Sequence, residues 1–284
     1  MLTHKFSITA LTQTWLNDID GENFKLHGYN LTKVNRESRG GGEICIFTRE
    51  NIKIKIRNDL MSKESNSNTE LLFIEIINEK CKNIIVGIIY RPPNSKFNDF
   101  KSDLKTTLTK LDKSDKPCYI MGDFNIDLLK YECCNYSNNF FNQLSSSGYM
   151  PLITKPTRIT KSTATLIDNI FTNNANKTGH ETGILLNDIS DHLPIFTITE
   201  LEATNCSVIP NSGTVEPRYN EPLYNELLDI TNDFLGPDQS YSKMYGIKPR
   251  YNEPRYNESR YNEFLVITNI IRGAKRKIYL DITN

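Results

Sequence analysis

The chain has 284 residues, 34 Lys+Arg against 34 Asp+Glu, and 38% hydrophobic residues. That length suits one domain of roughly 100 to 200 residues plus an appendage, and zero formal net charge gives no global electrostatic reason to bind a polyanion, so any nucleic-acid contact has to be local. The six cysteines show no CxxC spacing, no secretory segment precedes them, and the apolar runs fall far short of the roughly 20 residues a membrane helix needs; a zinc centre, a disulfide framework and a membrane anchor are all excluded from the expectation, and the chain reads as soluble and intracellular.

In chain order, Phe6 to Thr12 alternates apolar and polar residues and Ile52-Lys53-Ile54-Lys55-Ile56 alternates strictly, which predicts half-buried strands. The Ile- and Val-rich runs Glu43 to Thr48, Leu71 to Ile77 and Ile84 to Tyr90 predict three more. Spacing of three and four at Phe97, Phe100, Leu104, Leu108 and Leu111 predicts a helix with one apolar stripe, and a strand over Cys118 to Met121 follows. Phe140, Phe141 and Leu144 predict a second helix, stopped at Ser145-Ser146-Ser147-Gly148; strands are expected from there to Thr199, among them Ile170-Phe171 and Leu193 to Ile198. Many strands with few helices give an α/β (α+β) class, two sheets with helices outside.

Beyond about residue 205 the character changes. Pro217 to Asn232 recurs as Pro254 to Asn269, and Tyr-Asn-Glu occurs five times. Two long copies do not make a solenoid, and the richness in Pro, Asn and Glu predicts a disordered repeat tail over 205–284 behind a domain over 1–204.

Three short signatures carry the chemistry, each attached to an apolar run. In Gly122-Asp123-Phe124-Asn125 the glycine lets a strand end turn, and Asp123 and Asn125, two apart on extended backbone, point to one side, where one accepts a proton and the other holds a phosphate oxygen. Taken alone, the tetrapeptide also reads as an Asx turn. Asp168, in Leu166-Ile167-Asp168-Asn169-Ile170-Phe171, offers a carboxylate that can fix the tautomer of His192, in Ser190-Asp191-His192, and favour its imidazolium for stabilising a pentacovalent phosphate. Asp191 is left for a divalent cation, for which magnesium with hard oxygen ligands is the natural combination. His4, His27 and His180 have no comparable company.

With Thr14-Trp15-Leu16, Gly28-Tyr29, Arg39-Gly40-Gly41-Gly42 and Tyr90-Arg91-Pro92-Pro93 ahead of these signatures, the order of motifs over residues 6–199 resembles the endonuclease/exonuclease/phosphatase family, and more narrowly the endonuclease domain at the front of non-LTR retrotransposon reverse transcriptases. The resemblance implies a four-layered α/β sandwich of two mixed sheets with the site at one edge. It implies metal-dependent (Mg2+, with Mn2+ an alternative) in-line hydrolysis of DNA and, with it, a nuclear location. By the same pattern Asp123 orients or deprotonates the attacking water, Asn125 contacts the scissile phosphate, Tyr90 hydrogen-bonds a phosphate oxygen, Asp168 orients His192, His192 stabilises the transition-state charge, and Asp191 lies on the metal side. Arg39 with its glycines, and Arg91, are expected to be structural.

Two departures stand out. Gln13 occupies the place of a metal-binding Glu, so the neutral amide offers one oxygen without the charge. The first strand, with its phosphate-binding Asn, has only Met1 to Lys5 to form it, so an N-terminal strand is expected to be missing and to leave an open edge or a gap. Three functions therefore stand side by side: an endonuclease impaired by Gln13, a catalytically inactive nucleic-acid-binding remnant, and a phosphatase of the same fold acting on a small phosphoester.

Overall fold

The computed structural model describes residues 6–14, 26–34, 44–61, 68–79, 81–175, 180–185 and 190–200 and the strand 264–271. Trp15, the Arg39–Gly42 segment and the rest of the repeat tail lie outside the described residues.

The Ile- and Val-rich centre of the sequence builds one sheet. Its strands are β4 (Ile54–Ile56), β5 (Glu70–Ile76), β6 (Ile84–Tyr90), β7 (Cys118–Asp123), β8 (Met150–Pro151) and β11 (Asp168–Thr172), in the order β4-β5-β6-β7-β11-β8. β6 and β7 are parallel and the remaining pairs antiparallel. Parallel neighbours need a crossover, supplied by helix α1 (Phe97–Asp112), whose Phe100, Leu104, Leu108 and Leu111 are buried as their spacing predicts. Helix α2 (Asn135–Ser146) sets Phe140 between Phe100, Phe124 and Phe171. Every residue of β5, β6 and β7 is buried; covered on both faces, they need no alternation, and each Ile or Leu so buried contributes about 1.5 to 3 kcal/mol. The strict alternation at Ile52 to Ile56 lies instead at an edge, which leaves Ile56 46% exposed.

The other sheet comprises β1 (Ile8–Thr12), β2 (Tyr29–Val34), β3 (Ile44–Arg49), β12 (His180–Ile184), β13 (Ile195–Glu200) and β14 (Phe264–Ile271), in the order β12-β13-β14-β1-β3-β2. It packs face to face on the first: Ile8, Ala10, Ile44, Ile46 and Ile195 share one core with Ile85, Ile88, Met121 and Ile170. This is the mixed α/β sandwich expected, with α1 and α2 forming the helical layer on the far face of the β6–β7 sheet. A separate two-stranded hairpin, β9 (Arg158–Ile159) and β10 (Ala164–Thr165), stands beside it.

The place beside β1 is filled. β14, from within the tail expected to lack structure, runs parallel to β1 and antiparallel to β13, so in the described residues no gap is left there.

Candidate active site

Strand ends from both sheets converge at one edge. In the β5–β7 sheet, Asp123 closes β7 and Asp168 opens β11, opposite one another in antiparallel register, while Tyr90, the last residue of β6, is in parallel register with Asp123. One row of a rigid sheet thus carries three of the expected site residues. Gly122 makes the close approach possible: a Cβ there would lie 1.8 Å from the Ile89 carbonyl oxygen, a backbone atom that cannot step aside. From the other sheet, Gln13 follows β1 directly, in a left-handed conformation (φ 54°), and His192 lies on the approach to β13.

Hydrogen bonds lock these groups together. The Gln13 Nε2 amide donates to Asp123 Oδ2 (3.2 Å), and the Asn125 Nδ2 amide donates to the same oxygen (3.1 Å) and to the Arg91 carbonyl (2.9 Å). Asn125, left-handed at φ 49°, also donates its backbone N–H to Asp123 Oδ1 (3.0 Å), the Asx turn that the tetrapeptide suggests. His192 Nδ1 lies 3.0 and 3.2 Å from the two Asp168 oxygens. Asp168 and Asp123 are 0% exposed and His192 6%. Backbone anchors fix this pair: the Asp168 N–H donates to Thr157 Oγ1, the Leu193 N–H donates to the Thr157 carbonyl, and Ser190 Oγ and the His192 backbone bond each other reciprocally. Asn169, next to Asp168, is buried and accepts from and donates to Ile153, tying the loop before β9 to β11.

Burial, reinforced by the charge of Asp168, pushes the Asp123 carboxyl from its ordinary 3.8 up to about 7; His192 and the Asn125 N–H pull the other way. Burial works against the imidazolium of His192, but the hydrogen bond and charge of Asp168, with the charges of Asp123 and Asp191, outweigh it and hold the ring above its ordinary value. The site therefore contains a carboxyl poised near neutrality beside a carboxylate-held imidazole, and such perturbation marks functional sites.

Asp123, Asp168 and His192 each offer a ligand atom, and these lie within 4.8 Å of one another, so a cluster able to hold a divalent cation is present. The hard carboxylate oxygens of Asp123 and Asp168 in this cluster suit a cation such as Mg2+.

Of the expected residues, Tyr90, Asp123, Asn125, Asp168, His192 and Gln13 are brought together. The two assigned to the metal side are otherwise engaged: Gln13 faces Asp123 with its amide nitrogen, and Asp191, its side chain 48% exposed, is held by Arg158 through Nε and Nη2, both at 2.8 Å. Partial burial would raise the Asp191 carboxyl, but the Arg158 hydrogen bond, with the charges of His192 and Arg158, keeps it below its ordinary range. Arg158 and Thr157 are site residues that the sequence reading missed; the Arg158–Asp191 pair spans 33 positions, and no local pattern announces it. Arg91 is structural, with its guanidinium on the Phe124, Asn125 and Ser95 carbonyls.

Residues 83–196 match the family model described as endonuclease-reverse transcriptase. Among solved structures, the endonuclease domain of TRAS1, a telomere-specific non-LTR retrotransposon, is similar at TM-score 0.54 with 14% identity, over 72% of this chain and 90% of that one. An endonuclease/exonuclease/phosphatase family protein from Bacteroides thetaiotaomicron (TM-score 0.48, 16% identity, 68% of this chain and 81% of that one) and the catalytic domain of Xenopus laevis APE2 (TM-score 0.49, 14% identity, 72% and 86%) are also similar. No curated protein matches the chain in sequence. The matched segment contains Tyr90, Asp123, Asn125, Asp168, Asp191 and His192, and the described domain shares the fold of the TRAS1 endonuclease domain.

Proposed function

We propose that this domain hydrolyses phosphodiesters and, specifically, nicks DNA in the manner of a retrotransposon endonuclease, at a rate held down by Gln13. The observation that carries the reading is Asp123, buried, with its carboxyl near neutrality, beside the Asp168–His192 pair. Asp123 takes the proton of a water as its oxygen forms a bond to phosphorus, while the bond to the leaving oxygen breaks in line; a base whose pKa lies near the working pH suits this task. His192, held as imidazolium by Asp168, stabilises the charge that builds on the phosphoryl oxygens. Tyr90 and Asn125 hold the phosphate, the Asn125 amide by exchanging its present acceptors. A magnesium ion held by Asp191 and the Gln13 amide oxygen, released from their present partners Arg158 and Asp123, would neutralise charge on the phosphate and the leaving oxygen, which leaves the Asp123 carboxyl to act as the base. Gln13 contributes a hydrogen bond to Asp123 but no negative charge toward that ion.

The test is nicking of supercoiled plasmid by the purified protein and by Gln13→Glu in magnesium. The reading expects Gln13→Glu to be at least tenfold faster; equal rates would remove the assigned impairment. A second reading, DNA binding without turnover, is favoured by the engagement of both expected metal ligands, Gln13 with Asp123 and Asp191 with Arg158. Magnesium titration by calorimetry separates the two, since binding alone does not require the ion.

A further inference from the structure

β14 is the last strand described in the chain, yet it lies in the middle of its sheet. It follows β13 only after residues 201–263, which hold the first copy of the repeat. On one side it pairs antiparallel with β13, from Phe264 opposite Glu200 to Asn269 opposite Ile195; on the other it pairs parallel with β1, from Ile267 opposite Ile8 to Ile271 opposite Thr12. Neighbours in this sheet run β13-β14-β1, so β13 and β1 do not pair directly. Among the described residues β14 is thus the lateral link between the β12–β13 hairpin, approached through His192, and the β1–β3–β2 group, whose first strand is followed directly by Gln13. Without it, both strands would present open ladders in the middle of the sheet.

The tail contains the same short segment three times: Leu228-Asp229-Ile230-Thr231-Asn232, Leu265-Val266-Ile267-Thr268-Asn269 and Leu280-Asp281-Ile282-Thr283-Asn284. The docked copy is the one with Val in second place; the other two have Asp. In the observed register Val266 stands opposite Ile198, which is buried, and Ile270 stands opposite Leu11, where the first copy has Asp233. Valine is a strong strand former at a position paired within a sheet, whereas aspartate is depleted from strands.

We propose that the cleft between β1 and β13 is a strand-acceptor site for which these tail segments are rival occupants, that Val266 selects residues 264–271 of the same chain, and that their docking joins the Gln13 and His192 sides of the candidate site. The occupant is identified by the register itself, in which six residues, 264–269, pair with β13 and five, 267–271, pair with β1. Docking is a separate matter from hydrolysis, and its failure would leave the proposed chemistry standing.

The experiment is hydrogen exchange by mass spectrometry on the full chain, comparing peptides over 8–12 and 195–200 with 118–123 as the internal reference. Val266→Asp should accelerate exchange at least tenfold in the first two regions. Adding excess synthetic peptide of residues 262–273 to that variant should restore protection. So should the variant Val266→Asp/Asp229→Val/Asp233→Ile, in which the first copy of the repeat acquires the docked pattern. If Val266→Asp unfolds the whole chain, restoration by the peptide or by the triple variant still supports the proposal. Unchanged protection in Val266→Asp would overturn it, as would a loss that neither addition restores. Protection in the wild type that vanishes on dilution, with a dimer at high concentration, would also overturn it, because the occupant would then be the tail of a second copy.

Discussion

Replacing Asp123 with asparagine should make the protein more stable, and increasingly so as pH rises. The folded state holds this carboxyl at about 7, against an ordinary value of 3.8, chiefly because burial disfavours the anion and Asp168 repels it. Well below pH 3.8 the group is neutral in both states. As pH rises, the unfolded chain releases the proton first, so the unfolded state gains and stability falls until the folded group ionises near pH 7. Holding the carboxyl at about 7 instead of 3.8 corresponds to a cost of about 4 kcal/mol above pH 7 relative to a neutral isostere, of which rather more than half accrues between pH 5 and pH 8. The substituted amide would keep one acceptor oxygen for the donors on Gln13 and Asn125, which limits the loss of hydrogen bonding to about 1 kcal/mol. Urea unfolding of wild type and Asp123→Asn at pH 5 and pH 8 should therefore show the variant gaining about 2 kcal/mol on the wild type between the two values, with unchanged m-values. A difference independent of pH would mean that Asp123 ionises normally and that the argument for its role as a base at neutral pH is unsound.

Other predictions follow from the same geometry. His192→Ala should cut nicking roughly 100- to 10,000-fold, the range for loss of a positioned acid–base or charge-stabilising group, while circular dichroism shows the fold retained. Gly122→Ala should abolish soluble expression or lower the melting midpoint by more than about 10 °C in a thermal scan, because its Cβ would strike the Ile89 carbonyl oxygen and the strands would have to part. Arg158→Ala should leave the half-exposed Asp191 without its hydrogen-bonding partner, and its carboxyl, followed by NMR, should titrate at higher pH than in the wild type, with stability changed by less than about 1 kcal/mol as expected for an exposed pair.

How much could be read beforehand depended on whether a residue's partners lay close in sequence or its environment left a pattern. Ile84 to Tyr90 matches β6 residue for residue because a strand covered on both faces is apolar throughout, and the stripe from Phe97 to Leu111 reports directly the face that α1 buries. Asp123, Asp168 and His192 were legible because each ends or adjoins such a strand. β12 falls within the stretch up to Thr199 expected to be strands but could not be delimited there, because its residues Glu181 and Thr182 are exposed at a sheet edge and carry no alternation. β2 was missed because short mixed polar stretches such as Tyr29 to Val34 become strands through pairing with β3, not through composition. The same holds more strongly for β14, whose partners lie some 70 and 260 positions away and whose sequence forms part of a repeat. The engagement of Asp191 by Arg158 and of Gln13 by Asp123 is likewise non-local, and it changes what those residues offer to a cation.

The most direct test of the central claim is the rate at which the full chain nicks supercoiled plasmid at neutral pH with magnesium and with EDTA, alongside His192→Ala prepared identically. The account predicts nicking that EDTA abolishes and that the histidine variant lacks. Nicking of equal rate in wild type and His192→Ala, or none from folded wild type above that control, would contradict it.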